Sequence, residues 1–258
     1  MTKVRYEVTD AVATITIDRP EVRNAMDLDV FHALRDAGAR AGADPAVRAV
    51  VVTGEGSAFS SGIDTSVFAA GLAGEGQAID IAALQRAYSI FEEIPKATIA
   101  AVHGPAFGGG LQLAIACDLR VASEDVVLCV METKWGIIPD LGATQRLPRL
   151  IGVGRAKDLC LTGRRVEAGE ARELGLVERV VPAGEDVKHA QAWAAELAAG
   201  PPLAIAAIKR LVTSAFDAPI ATGLEREAMA QRTILASEDF AEAVRARLEK
   251  REPDYRGR

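Results

Sequence analysis

Several things are scarce in these 258 residues, and each shortage removes a class of function. There is no basic surplus: 36 acidic side chains face 30 basic ones, for a formal net charge of −6. A general nucleic-acid binder neutralises phosphates with a basic face, so that role is not expected, and a membrane-surface role is weakened in the same way. Cysteines are only three, Cys117, Cys129 and Cys160, odd in number and widely spaced. They form no CxxC pair and no metal-ligand set, and are expected to be reduced core thiols. The opening MTKVRYEV alternates polar and apolar residues instead of showing the basic start and apolar stretch of a signal peptide, so the expectation is a cytoplasmic protein.

Familiar catalytic motifs are missing too. No G-x-G-x-x-G opens a dinucleotide-binding unit, no Gly-Lys pair marks a Walker loop, and no G-x-S-x-G surrounds a serine. None of the three histidines, His32, His103 and His189, lies in an HExxH frame. Charge itself is absent from Ala97 to Cys117. A membrane helix needs ~20 such residues, but Pro105 and the run Gly108-Gly109-Gly110 would break a helix at its centre. The window reads as buried chain and not as a span.

What is present fits a soluble α/β protein, 49% hydrophobic and long enough for a large core. Val4, Tyr6 and Val8, then Ala13, Ile15 and Ile17, alternate with polar neighbours as paired strands do. Asp27 is placed to cap a helix with Leu28, Phe31 and Leu34 on one face, and Ala49 to Val52 reads as a buried strand. Residues 54–66 read as a Gly/Ser loop, and 71–76 as a mobile polar stretch. A helix over Asp80 to Glu92, a strand over Thr98 to Val102 and a helix over Gly109 to Ala116 follow. Further strands are expected at Arg120 to Ala122, Val126 to Cys129 and Leu176 to Val181. Beyond the break at Pro201-Pro202, Leu203 to Lys250 is purely helical in pattern.

The strand ending at Val102 runs through His103-Gly104-Pro105-Ala106-Phe107 into three glycines and then an apolar helix. Glycines at a helix start leave backbone N–H groups uncovered where the helix dipole is positive, a setting for a developing negative oxygen. The loop Phe59-Ser60-Ser61-Gly62-Ile63-Asp64 can supply a second N–H. Two such donors would make an oxyanion hole, each worth ~2.7–4 kcal/mol when removed. Close packing and a serine-rich turn are the plainer readings of these two segments.

The stretch AVHGPAFGGGLQLAIACDLRVAS, followed by VMETKWGIIPDLGATQRLPRLIG, resembles the crotonase superfamily of enoyl-CoA hydratases and isomerases, with AFSSGID and LEKREPDYRGR in support. That resemblance implies a crotonase-like spiral of ββα units over residues 1–200, carrying an acyl-CoA site, and a C-terminal helical trimerisation region over 201–258. It implies a homotrimer or a dimer of trimers. It also places oxyanion-hole amides at Ile63 and Gly109, with Arg23, Asn24, Ala25, Ser61, Gly62, Asp64 and Trp135 around the CoA and acyl parts of the substrate. No metal is expected, and no cofactor beyond the coenzyme A of the thioester substrate.

Two departures bear on the reaction. Hydratases of this superfamily use two glutamates, and the first of those positions here is Gln112, while the second is Glu132. An amide orients but cannot exchange a proton. A 1,3 double-bond shift through Glu132 alone is therefore the expected reaction, with hydration and a catalytically silent CoA-binding protein as alternatives. Asp140, eight residues after Glu132, matches a second acid of dienoyl-CoA isomerases, although those also carry an Asp where Gln112 stands. Its other reading is a helix N-cap. Ser66 replaces a lysine that many members use for phosphate; Lys209 and Lys250 are candidate substitutes, and the basic surplus of segment 134–165 is a candidate patch for the anion. A Ser-His-Asp peptidase on the related Clp fold would need His103 beside a nucleophile.

Overall fold

The computed structural model describes residues 2–72 and 79–258. Strands β1 (Val4–Thr9) and β2 (Val12–Ile17) form the expected antiparallel hairpin, turned through Asp10 and Ala11 at positive φ. Helix α1 (Leu28–Ala43) starts where Asp27 accepts the Val30 N–H. Strand β3 (Ala49–Gly54) follows, then α2 (Thr65–Leu72), α3 (Ile81–Glu93, capped by Asp80) and β4 (Ala97–Val102). A short strand β5 (Pro105–Phe107) leads into α4 (Gly109–Ala114). Then come β6 (Leu119–Ser123), β7 (Val127–Cys129), a 3-10 turn (Glu132–Trp135), α5 (Ala143–Ile151) and α6 (Val153–Thr162). The remainder is β8 (Arg165–Glu167), α7 (Ala168–Leu174), β9 (Arg179–Val181), α8 (Asp186–Ala198), α9 (Pro202–Thr213), α10 (Ile220–Leu235) and α11 (Glu238–Glu249).

The main sheet has six strands in the order β1-β2-β3-β4-β6-β9, parallel from β2 onward. Its central strands are buried on both faces, which explains why they read as unbroken apolar runs. In β3, Val50 and Val52 face the larger core under α1 and α3, while Ala49 and Val51 face α8. The second sheet, β5-β7-β8, pairs β5 with β7 in parallel. It was not legible as a sheet, because β5 and β8 are three residues each and owe their extended form to partners far along the chain.

Some boundaries differ from expectation. Part of the 54–66 loop and the start of the 71–76 stretch are helix α2, and the rest of that stretch lies outside the described residues. The strand expected from Leu176 begins only at Arg179. Among the described residues no helix is long and apolar enough to cross a membrane, and the uncharged window is strand, turn and short helix. Burial pushes the Cys117 thiol up to about 12, in keeping with a core thiol.

Candidate active site

The site forms where two loops at the ends of β3 and β4 run side by side. In the first, the Ser60 N–H donates to the Pro105 carbonyl (3.1 Å) and the Phe107 N–H donates back to the Ser60 carbonyl (3.0 Å). On its other edge the Met26 N–H donates to Gly62 O (2.8 Å) and the Asp64 N–H to Met26 O (2.9 Å). A trans peptide sets its N–H opposite its C=O. With Gly62 O turned to Met26, the Ile63 N–H of the same peptide faces away from Met26. A Cβ on Gly62 would stand 3.6 Å from the Gly109 nitrogen. Among the described residues, neither the Ile63 nor the Gly109 N–H has an acceptor.

The glycine turn is shaped for close approach. Gly108 sits at φ 49, ψ −116, a conformation that glycine tolerates and residues with a Cβ avoid. Its N–H donates to Cys129 O (2.9 Å), and a Cβ there would lie 3.2 Å from the Glu132 carboxylate. A side chain on Gly110 would collide with the Ser60 carbonyl. From below, the buried Tyr88 hydroxyl donates to Gly109 O at 2.9 Å.

Glu132 opens the 3-10 turn and is only 6% exposed. Gln112, 1% exposed on α4, donates from Nε2 to Glu132 Oε1 at 2.7 Å. Its own oxygen accepts the Ala143 N–H at 3.0 Å. A backbone N–H can only donate, so the Gln112 amide has a single workable orientation. Glu132 Oε2, buried, has no partner among the described residues. Burial raises the Glu132 carboxyl above its ordinary range, and the nearby Asp140 charge adds to this, while the Gln112 donor opposes it. Asp140 is half-buried and its carboxyl is raised for the same reason, burial. The N-cap reading of Asp140 is not what is found: Gly142 caps α5, with no side-chain bond, because the helix begins later along the chain than that reading requires.

A cleft of about 290 Å3 opens over these groups, lined among others by Ala25, Gly62, Ile63, Asp64, Gly109, Glu132 and Trp135. Its apolar wall and its two free amides suit a thioester: the amides can hold the carbonyl oxygen while an unpartnered carboxylate oxygen meets an acidic C–H. A sequence model of the family described as enoyl-CoA hydratase/isomerase matches residues 7–258. The chain belongs to the enoyl-CoA hydratase/isomerase family. A Rhodobacter capsulatus protein named "Probable enoyl-CoA hydratase" is 38% identical, covering 99% of this chain and 98% of its own. The peroxisomal Delta(3,5)-Delta(2,4)-dienoyl-CoA isomerase of Arabidopsis thaliana is 33% identical over 98% of this chain and 95% of that one. Among solved structures, the enoyl-CoA hydratase of Bacillus anthracis matches with a TM-score of 0.93 and 35% identity, over 99% of this chain and all (100%) of that one. The crotonase fold read from the motifs is thus the fold of this member.

Within this family member the remaining expected positions separate into two kinds. Ser61 and Trp135, with Val22, Phe68, Met131 and Ile137, also line the cleft, and Trp135 is 64% exposed at its edge. Arg23 is exposed close by. Asn24 is fully buried, and its side-chain nitrogen donates to Glu55 O (2.9 Å) and Ala58 O (2.6 Å), so it holds the loops together. Asp64 lines the cleft but is held by Arg19 (3.0 Å) and the Ser66 N–H, and those hydrogen bonds depress its carboxyl. Lys209 is no phosphate ligand: it is buried, bonded to Phe91 O and Lys96 O and paired with Asp118 at 2.9 Å. In the expected basic patch, Arg146, Arg149 and Arg164 are each engaged in ion pairs. His103 Nδ1 lies 2.9 Å from Asp186, but no serine bonds its other nitrogen, so among the described residues there is no peptidase triad. Phe68 and Tyr88 were missed: Phe68 falls between the expected 54–66 loop and the 71–76 stretch, where no element was expected, and Tyr88 has the sequence pattern of any core aromatic on α3.

Proposed function

We propose that this enzyme shifts the double bond of a 3-enoyl-CoA thioester into conjugation, with Glu132 as the proton shuttle and the Ile63 and Gly109 amides on the thioester oxygen. The observation that carries this reading is the Gln112–Glu132 pair. The position opposite Glu132 holds a neutral amide locked as a donor, so the cleft contains one proton-exchanging group there, with one oxygen engaged and one free. In the forward direction Oε2 takes a proton from C2, negative charge moves to the thioester oxygen between the two amides, and the same proton is returned to C4 as the double bond settles at C2–C3. Protons and electrons balance without metal or redox cofactor. Coenzyme A arrives with the substrate, and Arg23, exposed beside the cleft-lining Val22, is its proposed phosphate contact.

The raised Glu132 carboxyl suits this role, because a base nearer neutrality also returns the proton readily. A second reading, the longer shift of a 3,5-dienoyl-CoA, draws on Asp140, whose charge is felt by Glu132, and on the likeness to the Arabidopsis isomerase. Purified protein assayed on crotonyl-CoA, a 3-enoyl-CoA and a 3,5-dienoyl-CoA distinguishes the cases. The expected result is isomerisation of the 3-enoyl substrate, little hydration of crotonyl-CoA, and loss of roughly 10²–10⁴-fold in kcat for Glu132→Gln. Normal turnover by that variant removes the proposal. Gln112→Glu should gain crotonyl-CoA hydration; a wild type that already hydrates efficiently makes hydration the native reaction, and binding without turnover on all three thioesters supports a silent CoA-binding protein.

We further propose that the protein assembles as a homotrimer or dimer of trimers. Support comes from α9, α10 and the turn between them, which expose Ile208, Val212, Phe216, Ile220, Leu224 and Met229 along the C-terminal region. Sedimentation of the full chain tests it, and a monomer would remove it.

A further inference from the structure

The bridge between the two amide-bearing loops is made by one residue whose every polar group is occupied. Ser60 is completely buried (0% exposed). Its N–H and C=O pair with Pro105 and Phe107, on the strand that leads to Gly109. Its hydroxyl donates to Asn24 O (2.8 Å) and accepts the Gly62 N–H (3.1 Å). These roles cannot be exchanged, since Asn24 O only accepts and Gly62 N–H only donates, so the hydroxyl rotor is fixed.

We infer that Ser60 is the positioning residue that sets the separation and aim of the Ile63 and Gly109 amides. The inference rests on the reading of those amides as the thioester-oxygen donors. Gly62 stands at φ 105 with no side chain to restrain it. Its N–H is held by the Ser60 hydroxyl and its C=O by Met26, and the peptide that follows carries the Ile63 N–H. On the opposite side the start of α4 rests directly on Ser60: a Cβ on Gly110 would come within 2.9 Å of the Ser60 Cβ. Ser60 therefore stands between the donors as a spacer and, through Asn24, ties both to the loop after β2. Ser60→Ala keeps the backbone pairing and removes only the two hydroxyl bonds. That frees Gly62 to rotate and the Ile63 N–H to swing off the oxygen, while no side chain that lines the cleft is changed.

The test compares wild type, Ser60→Ala and the nearly isosteric Ser60→Cys, whose thiol is a weaker donor and acceptor. Two readouts are taken: turnover of a 3-enoyl-CoA, and the infrared carbonyl band of bound butyryl-CoA carrying 13C at the thioester carbon. Butyryl-CoA has no double bond to react, so the band reports donor alignment without turnover. The expected result is a lowered band in wild type and a smaller lowering in Ser60→Ala. The alanine variant should lose roughly 10²-fold in kcat, the effect of an ångström-scale misplacement, with KM little changed and Ser60→Cys between the two. A wild-type band and rate in Ser60→Ala overturn the inference, as does a fall in rate with the band unmoved, which marks a purely structural effect. If the alanine variant does not fold, the same outcomes are read on Ser60→Cys. A wild type inactive on 3-enoyl-CoA but with a lowered band removes isomerisation and leaves Ser60 to be judged by the band. A wild type with no lowering removes the donor pair and Ser60 with it.

Discussion

The parallel sheet and the C-terminal helices of this chain bury themselves in opposite ways. Strands β3 and β4 are buried along their whole length, with successive side chains committed to one core or the other. Helix α10 has no buried residue at all, and the only buried residue of α9 is a lysine. Phe216 and Ile220, between and at the start of these helices, are 72% and 83% exposed. The central strands thus complete their packing within one chain, whereas α9 is anchored through a polar side chain and most of the large apolar side chains of α9 and α10 stay exposed.

That contrast is sharpened most by the anchor. Lys209, itself buried, ties α9 to the end of α3 and to the half-buried Asp118. Lys209→Ala should cost about 3–5 kcal/mol, because it takes a buried cation from a half-buried carboxylate and two backbone carbonyls at once; chemical denaturation measures this, and a loss near zero would mean that α9 is held by packing instead. Ile99→Ala, in the fully buried β4, is expected to cost about 2–5 kcal/mol by the same measurement.

A smaller effect of opposite sign is expected in the site. The Glu132 carboxyl is raised in the folded protein, so the fold prefers it protonated. The stability this contributes is present at low pH and is lost as pH rises through the raised folded value. Glu132→Gln escapes that loss and should be more stable than wild type by about 1–2 kcal/mol at neutral pH, the difference closing as pH falls. A thermal melt series over pH checks this, and a variant less stable at neutral pH contradicts it. Smallest of all, Phe216→Ser should change the stability of the isolated chain by no more than about 0.5 kcal/mol while weakening self-association in sedimentation. If it destabilises the single chain by several kcal/mol, the two regions are less different than their exposure indicates.

Much of this was legible along the chain because it is local. The caps Asp27 and Asp80, the hairpin, and the apolar strands β3 and β4 follow from neighbours within a few residues. The helical end after Pro201 is legible for the same reason. Within the site, Gly108 to Gly110 and the Ile63 loop could be recognised because close approach between backbone segments demands residues without a side chain. Asn24, Lys209 and Asp140 were not legible in the same way. Each is polar, and whether it faces substrate, solvent or buried carbonyls depends on segments distant in sequence: Ala58 for Asn24, Phe91 for Lys209, and Gln85 for the Asp140 carbonyl.

The sequence alone determined the family, the glycine turn, and the identity of the two residues that face each other across the site, because composition and spacing are properties of the chain itself. Only the tertiary structure decided how those residues are used. The Ala143 N–H, arriving with α5, turns the Gln112 oxygen toward itself and the nitrogen toward Glu132. Burial beneath the loops then raises the Glu132 carboxyl. Hydrogen-bond direction and desolvation are set by what surrounds a group in space, and for these two residues that surrounding is assembled from strands and helices far apart along the chain.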